Sequence, residues 1–318
     1  MHVVLASHYR LPVRRYGGTE RVVVALARGL AAQGHRVTLL AAPGTQLREA
    51  TVIEVPAETL TSPATDLGSL APRDADILHA HFPLSRPPSL PCVWTVHGEM
   101  RPGTAVPPYA IFLSRNHARR HGTEAFVYNG LEPTDFVYRS AKDDYDLFLG
   151  RLHRVKGYRW AMKGARRAGH RLLVVGGWRP TFRPGVKFLG KVDQEQKVEL
   201  LAGARCLWMP ALWDEQFGLT TIEALFSGTP VLTTYRGSLP EIVTPEVGAL
   251  CATLDEMVEA ARTIHTRSAA ACRDHATRYF SHLAMAAAYV RMYRAMLDTG
   301  TLVPGQATPY SSAQAHVQ

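Results

Sequence analysis

Apolar residues recur in two rhythms along this chain. Short apolar runs of strand length occur at His2–Ala6, Val37–Ala41, Val52–Val55, Ile77–His79, Val93–Val96, Ala110–Leu113 and Ala125–Tyr128. Between the first two, Val22, Val23, Leu26, Ala27 and Leu30 keep the i, i+3, i+4 spacing of a helix over Glu20–Gln33, and Gly34 supplies its stop. The alternation predicts a parallel sheet with crossover helices. Around Leu131–Asp146 charges replace the apolar pattern, which places a linker there. A second series follows: strands at Leu147–Leu149, Leu172–Val175, Val186–Leu189, Cys206–Met209 and Pro230–Thr233, with helices at Tyr158–Ala168, Gln194–Gly203 and Gly218–Ser227. Two helices are expected across Leu254–Leu297. The expected domains are 1–135 and 145–282, with a helix at 283–299 returning to the first and a disordered tail at 300–318 rich in Ser, Pro, Gln and Ala.

Composition narrows the class. At 318 residues, 46% hydrophobic and 20% charged, the chain suits two α/β domains of a soluble globular protein. No apolar run approaches a membrane span, and the N-terminus reads as a buried strand rather than a secretory signal, so a cytoplasmic location is expected. Cys92, Cys206, Cys251 and Cys272 are scattered and read as inert thiols. No metal-ligand spacing is assigned to the 14 His, and no metal cofactor is expected. Asp74/Asp76 and Asp144/Asp146 each form an Asp-x-Asp before a strand and are read as solvated loop acids.

Net charge is +9; residues 1–130 carry 13 Arg and 9 acids, hence +4, and the remainder carries +5. Neither half is a detachable basic tail. Arg14 and Arg15, and the Arg119–Arg120 pair, follow strands and form candidate platforms for an anionic acceptor. A lipid-linked phosphate at a membrane surface and a modified nucleic acid both fit.

The chemistry-bearing residues cluster in three places. Glu215-Gln216-Phe217-Gly218-Leu219 precedes a helix that carries Glu223, so the helix N-terminus offers free N–H groups and the two carboxylates can accept from sugar hydroxyls. Gly150-Arg151-Leu152 followed by Lys156-Gly157 puts two cations after a strand, suited to a diphosphate. Phe188-Leu189-Gly190-Lys191-Val192 ends another strand where backbone can approach a base, and Gly17-Gly18-Thr19-Glu20 gives a flexible turn into a helix.

Taken together, Gly-Gly-Thr-Glu-Arg-Val-Val, Gly-Arg-Leu with Lys-Gly, Glu-x-Phe-Gly-x4-Glu and Gly-Thr-Pro-Val resemble the retaining glycosyltransferases of family four, over about Met1–Leu297. The resemblance implies the GT-B fold, two Rossmann-like domains facing each other across a cleft, and a nucleotide-sugar donor, with UDP-sugars favoured. It implies that Arg151 and Lys156 bind the diphosphate with help from Gly17 and Gly18. Glu223 takes the ribose and Glu215 the transferred sugar, while Val192, Phe217, Gly218 and Leu219 add backbone contacts. His97 lies at the sugar, and Glu20 at the acceptor. It further implies retention of configuration without a metal; lacking a carboxylate beside His97, front-face departure of the diphosphate is expected. Gln216 stands where the family usually has Pro, and the first domain is short. A sugar-nucleotide epimerase or phosphorylase on the same fold, or a non-catalytic nucleic-acid-binding protein, are the alternatives.

Overall fold

In a computed structural model, residues 1–13, 17–101, 103–179 and 184–306 are described, and they form two compact units. The first comprises Met1–Glu132 with Phe280–Gln306, the second Pro133–Tyr279.

The N-terminal unit runs β1 (His2–Ser7), α1 (Gly18–Ala32), β2 (Arg36–Ala41), β3 (Thr51–Glu54), α2 (Ala57–Leu60), β4 (Ile77–Ala80), β5 (Cys92–Thr95), β6 (Ala110–Ile111) and α3 (Arg115–Arg120). Its six strands lie in the order β3-β2-β1-β4-β5-β6, all parallel. β1 is buried along its whole length, as a central strand covered on both faces must be. The strand anticipated at 125–128 shrinks to a single parallel bridge, Phe112 to Phe126.

The second unit runs β7 (Asp146–Leu149), α4 (Tyr158–Arg167), β8 (Leu172–Val175), β9 (Val186–Gly190), α5 (Gln194–Gly203), β10 (Leu207–Met209), α6 (Leu219–Phe226), β11 (Val231–Thr233), α7 (Leu239–Ile242), β12 (Gly248–Leu250), α8 (Leu254–Thr263) and α9 (Ala269–Phe280). Its sheet, β12-β11-β10-β7-β8-β9, is again parallel. Phe148, Trp208, Tyr158 and Met257 fill one face of it. The chain then returns to the N-terminal unit as α10 (His282–Thr299), which packs on α1. The segment 254–297 thus holds three helices rather than two; Ser281 starts α10 by accepting from the Ala284 N–H at 3.2 Å. α7 and β12 are too short to carry a periodicity.

Of the acids before strands, Asp74, Asp76 and Asp144 are exposed as expected, and Asp146 is not. Asp146 is fully buried at the start of β7, where it accepts from Arg205 (3.1 Å), His170 (2.9 Å) and the Trp208 indole (2.9 Å). Three donors offset the cost of burying its charge. Asp74 pairs with Arg36 and His2, and Asp76 accepts from the His2 N–H at 2.7 Å. All four cysteines are buried and unbridged, and burial pushes the Cys92, Cys251 and Cys272 thiols up to about 11, 12 and 12. Among the described residues no helix is long and apolar enough to cross a membrane.

Candidate functional site

In the second unit the site is assembled by two loops that meet beyond the strand ends. After β7 the chain makes a short 3-10 turn, Arg154–Lys156, and reaches Gly157 at φ 74. A Cβ there would fall 1.8 Å from the Pro210 carbonyl oxygen, so only glycine permits this approach to the segment leaving β10. The Leu212 N–H closes the junction on the Val155 carbonyl at 2.7 Å. Lys156 Nζ is thereby delivered to both carboxylate oxygens of Glu215, at 2.9 and 2.7 Å. The Trp213 indole N–H donates to the same carboxylate at 2.8 Å, and its ring lies 4.9 Å from the ammonium.

Glu215 is itself fixed from behind. Gly237, at φ 61, sits so close that a Cβ would come within 2.2 Å of the Glu215 carbonyl oxygen. The Ser238 N–H donates to that oxygen at 2.9 Å, and Ser238 Oγ donates to the Phe217 carbonyl at 2.8 Å. Gly218, left-handed, is the N-cap of α6 and offers no side-chain cap. The first-turn N–H groups of α6 therefore form a site for an anion or sugar hydroxyl. Phe217 is buried, Leu219 and Val192 are half-buried, and Arg151 is exposed. No ion-pair or hydrogen-bond partner engages the Arg151 side chain among the described residues.

Glu223 is placed differently from the expectation. It was read as a second acceptor opening toward the same end as Glu215, but its side chain is fully buried and meets Lys197 Nζ of α5 at 3.2 Å. Lys197 is only 4% exposed, so this is an internal ion pair and not a rim carboxylate. Ile222, Glu223 and Phe226 all lie on buried positions of an α6 that is covered nearly all round, so the Glu223 carboxylate sits inside the unit.

The N-terminal unit holds its polar groups in another way. Gly17 caps α1, and the Glu20 carboxylate folds back over it, its Oε2 2.5 Å from where a Gly17 Cβ would be. His8, which sequence reasoning passed over, has a buried Nδ1 without a hydrogen-bond partner and a pKa lowered by burial, which the Glu20 charge opposes. Arg14 and Arg15 lie outside the described residues.

A column of histidines runs inward from the loop after β5. His97 Nε2 meets His81 Nδ1 at 2.9 Å, and the His81 ring lies 4.2 Å from that of His79. His79 in turn bonds Tyr293 and Thr95, both at 2.7 Å, and Thr95 bonds Tyr289 at 2.7 Å. Burial holds all three imidazoles below their ordinary range, His97 down to about 3, with repulsion from neighbouring histidines adding to it. They are neutral at pH 7. His81 Nε2 is buried without a partner, and an orphaned N–H is the costlier choice, so the His81 proton belongs on Nδ1, donating to His97. His97 then carries its own proton on Nδ1.

Arg119 is exposed, but Arg120 is committed to Glu99 at 2.6 Å, which removes half of that expected basic pair. Glu99, His117 and His121 also bring ligand atoms within 4.8 Å of one another. The His-x3-His spacing on α3 was the signal for this cluster, and it was overlooked when the histidines were read as lacking metal-ligand spacing.

The two units match two family models. Residues 16–132 fit the model described as Glycosyltransferase Family 4, and residues 145–267 fit Glycosyl transferases group 1. The chain belongs to the family-four glycosyltransferases. Its fold is GT-B. Among solved glycosyltransferases it is similar to AviGT4, involved in avilamycin A biosynthesis, with 28% identity, 95% of this chain and 99% of that one covered, and a TM-score of 0.77. Anabaena HepE, solved with UDP and glucose, shares the fold at 15% identity and a TM-score of 0.62, over 93% of this chain and 100% of HepE. The MMP alpha-(1->4)-mannosyltransferase of Mycolicibacterium hassiacum is 32% identical over 113 residues, which cover 32% of this chain. A 41.2 kDa protein from the cps region of Klebsiella pneumoniae is 28% identical over 46% of this chain. The matched regions span 27% and 45% of those two relatives' own lengths.

Proposed function

We propose that this protein transfers a sugar, with retention of configuration and without a metal, from a nucleoside diphosphate sugar to an acceptor hydroxyl. The observation that carries this reading is the Lys156–Glu215–Trp213 cluster beside the uncapped start of α6. Lys156 and Arg151 neutralise the diphosphate, and the charge they offset grows as the bond to the sugar breaks. The first-turn amides of α6, at Gly218 and Leu219, assist. Glu215, held by Lys156 and Trp213, accepts from a hydroxyl of the transferred sugar. Glu223 takes the ribose hydroxyls if Lys197, 3.2 Å away, shares its carboxylate.

His97 is assigned to the sugar as a neutral donor through Nδ1–H. A pKa near 3 unsuits it to act as a general base at neutral pH. Gly17, Gly18 and Glu20 remain assigned to the phosphate and acceptor. For the acceptor, the net charge of +9 and exposed Arg119 favour an anionic compound, with Arg120 contributing less than its sequence position suggests. A lipid-linked phosphate, reached by peripheral attachment of a cytoplasmic protein, is the first acceptor class to test, and nucleic acid the second. UDP-sugars are the first donors, since a neighbour of this fold was solved with UDP and glucose.

A thermal-shift screen of UDP-, GDP-, ADP- and dTDP-sugars in EDTA tests the donor assignment. A cognate donor at 100 times its dissociation constant should add ~2.7 kcal/mol of stability. No shift from any of the four classes removes the proposal. Turnover of donor without acceptor, or only with free phosphate, moves the activity to an epimerase or a phosphorylase.

A further inference from the structure

We propose that Glu99, His117 and His121 form a zinc-class divalent metal site in the N-terminal unit, with the remaining position left to water. Two imidazoles and one carboxylate are the donor set of an open zinc site. Their ligand atoms already lie within 4.8 Å of one another. Ligands of one tetrahedral zinc at bond lengths of about 2.0–2.1 Å stand roughly 3.3 Å apart. The Glu99–His121 edge, at 3.2 Å, is at that spacing now. Glu99 is exposed on a loop, so turning its side chain supplies the remaining closure.

The two histidines are placed by local structure. They sit four residues apart at the end of α3, which puts both on one helix face. Ser114 caps that helix by accepting from the His117 N–H at 3.1 Å. The Phe112 ring stacks on His121 at 4.9 Å and meets His117 edge-on at 4.9 Å. His121 also lines a surface cavity bordered by Pro107, Thr123 and Leu302, which gives the open position a route to solvent.

His117 supplies the independent observation. It is fully buried, and its Nε2 makes no well-formed hydrogen bond, although the Gly98 backbone acts on the ring. Its Nδ1 is approached by the Leu113 N–H at 3.4 Å, a long contact. A metal on Nε2 moves the imidazole proton to Nδ1, gives up that contact and satisfies the orphaned nitrogen. Burial lowers the His117 pKa to about 4, against the pull of Glu99 and the Gly98 backbone and with the push of Arg120 and His121. Arg120 plays both sides: it holds Oε1 of Glu99 at 2.6 Å and leaves Oε2 for the metal, while its charge opposes a cation.

The test of this site needs no turnover. Full-length protein, freed of any affinity tag and stripped with EDTA, is titrated with zinc against a chromophoric chelator, and in parallel with cobalt(II). One equivalent should bind at micromolar or better, with the visible cobalt bands of a four-coordinate site. Glu99→Gln is a surface change and His121→Asn a half-buried one whose folding is checked by thermal unfolding, and each should weaken zinc by about 10–100-fold or more. Arg120→Gln should tighten it. Failure to bind one equivalent at micromolar zinc, or binding unaltered in both His121→Asn and Glu99→Gln, overturns the proposal.

Discussion

The two units share a sheet order and differ in how they keep buried polarity. In the C-terminal unit the groups are charged and held in pairs: Lys156 on Glu215 and Lys197 on Glu223. In the N-terminal unit they are neutral, a column of imidazoles and hydroxyls from His97 to Tyr293 joined by hydrogen bonds and, between His81 and His79, by ring contact. On the proposed function the difference follows from what each unit would meet. A diphosphate brings charge, so cations kept ready by carboxylates can exchange partners when it arrives. A sugar or alcohol brings hydroxyls, for which a donor of fixed tautomer is the suitable complement.

Breaking an internal pair should have the largest effect. Lys197→Met leaves the Glu223 carboxylate buried beside a thioether, and loss of one partner of a buried pair costs about 3–5 kcal/mol. Denaturant unfolding should record that loss. For the same reason Glu223→Gln, which keeps shape and hydrogen bonding, is the better probe of ribose binding than truncation. A Lys197→Met variant as stable as the parent would show the pair to be replaceable packing.

The neutral column predicts a different vulnerability, to acid. His79, His81 and His97 are all depressed in the folded state, so the unfolded chain binds more protons below its own imidazole pKa. Their contribution is fully present above about pH 6.5 and is lost as pH falls toward the folded values. Each histidine adds a slope of up to ~1.4 kcal/mol per pH unit in that window. Unfolding curves in EDTA should therefore weaken from about pH 6 downward, before carboxylates titrate. A flat stability between pH 6.5 and 5 would contradict the neutral column. A smaller effect is expected for Tyr293→Phe, which removes the hydroxyl from buried His79 Nδ1 and should cost about 1–3 kcal/mol, read by the same unfolding.

How much of this was legible in the sequence follows a physical divide. β1, β2, β7 and β8 are continuous apolar runs, and α1 and α4 carry their periodicity in full, so they could be read directly. Gly157 next to Lys156 marked a tight approach. What the sequence could not display were partners distant in the chain. Nothing local ties Lys197 to Glu223, 26 residues on, or His79 to Tyr293, 214 residues on. Asp146 looked like a loop acid because its three donors, from Arg205, His170 and Trp208, come from other elements. The His117–His121 spacing was visible, but Glu99 joins it only through the fold.

On the proposed function, a paired and an unpaired cation replace a metal at the donor diphosphate. Arg151 tests it most cleanly, because its side chain is exposed and without a partner in the described structure, whereas removing Lys156 also strands Glu215. Arg151→Ala should leave stability within about ±0.5 kcal/mol of the parent. The decisive measurement is the rate of transfer from a UDP-sugar in excess EDTA, parent against Arg151→Ala. Parent turnover should be undiminished, and kcat should fall tenfold or more in the variant, roughly 1.4 kcal/mol or more of transition-state stabilisation. Parent activity abolished by EDTA and restored by magnesium or manganese, or a variant as fast as the parent, would contradict it.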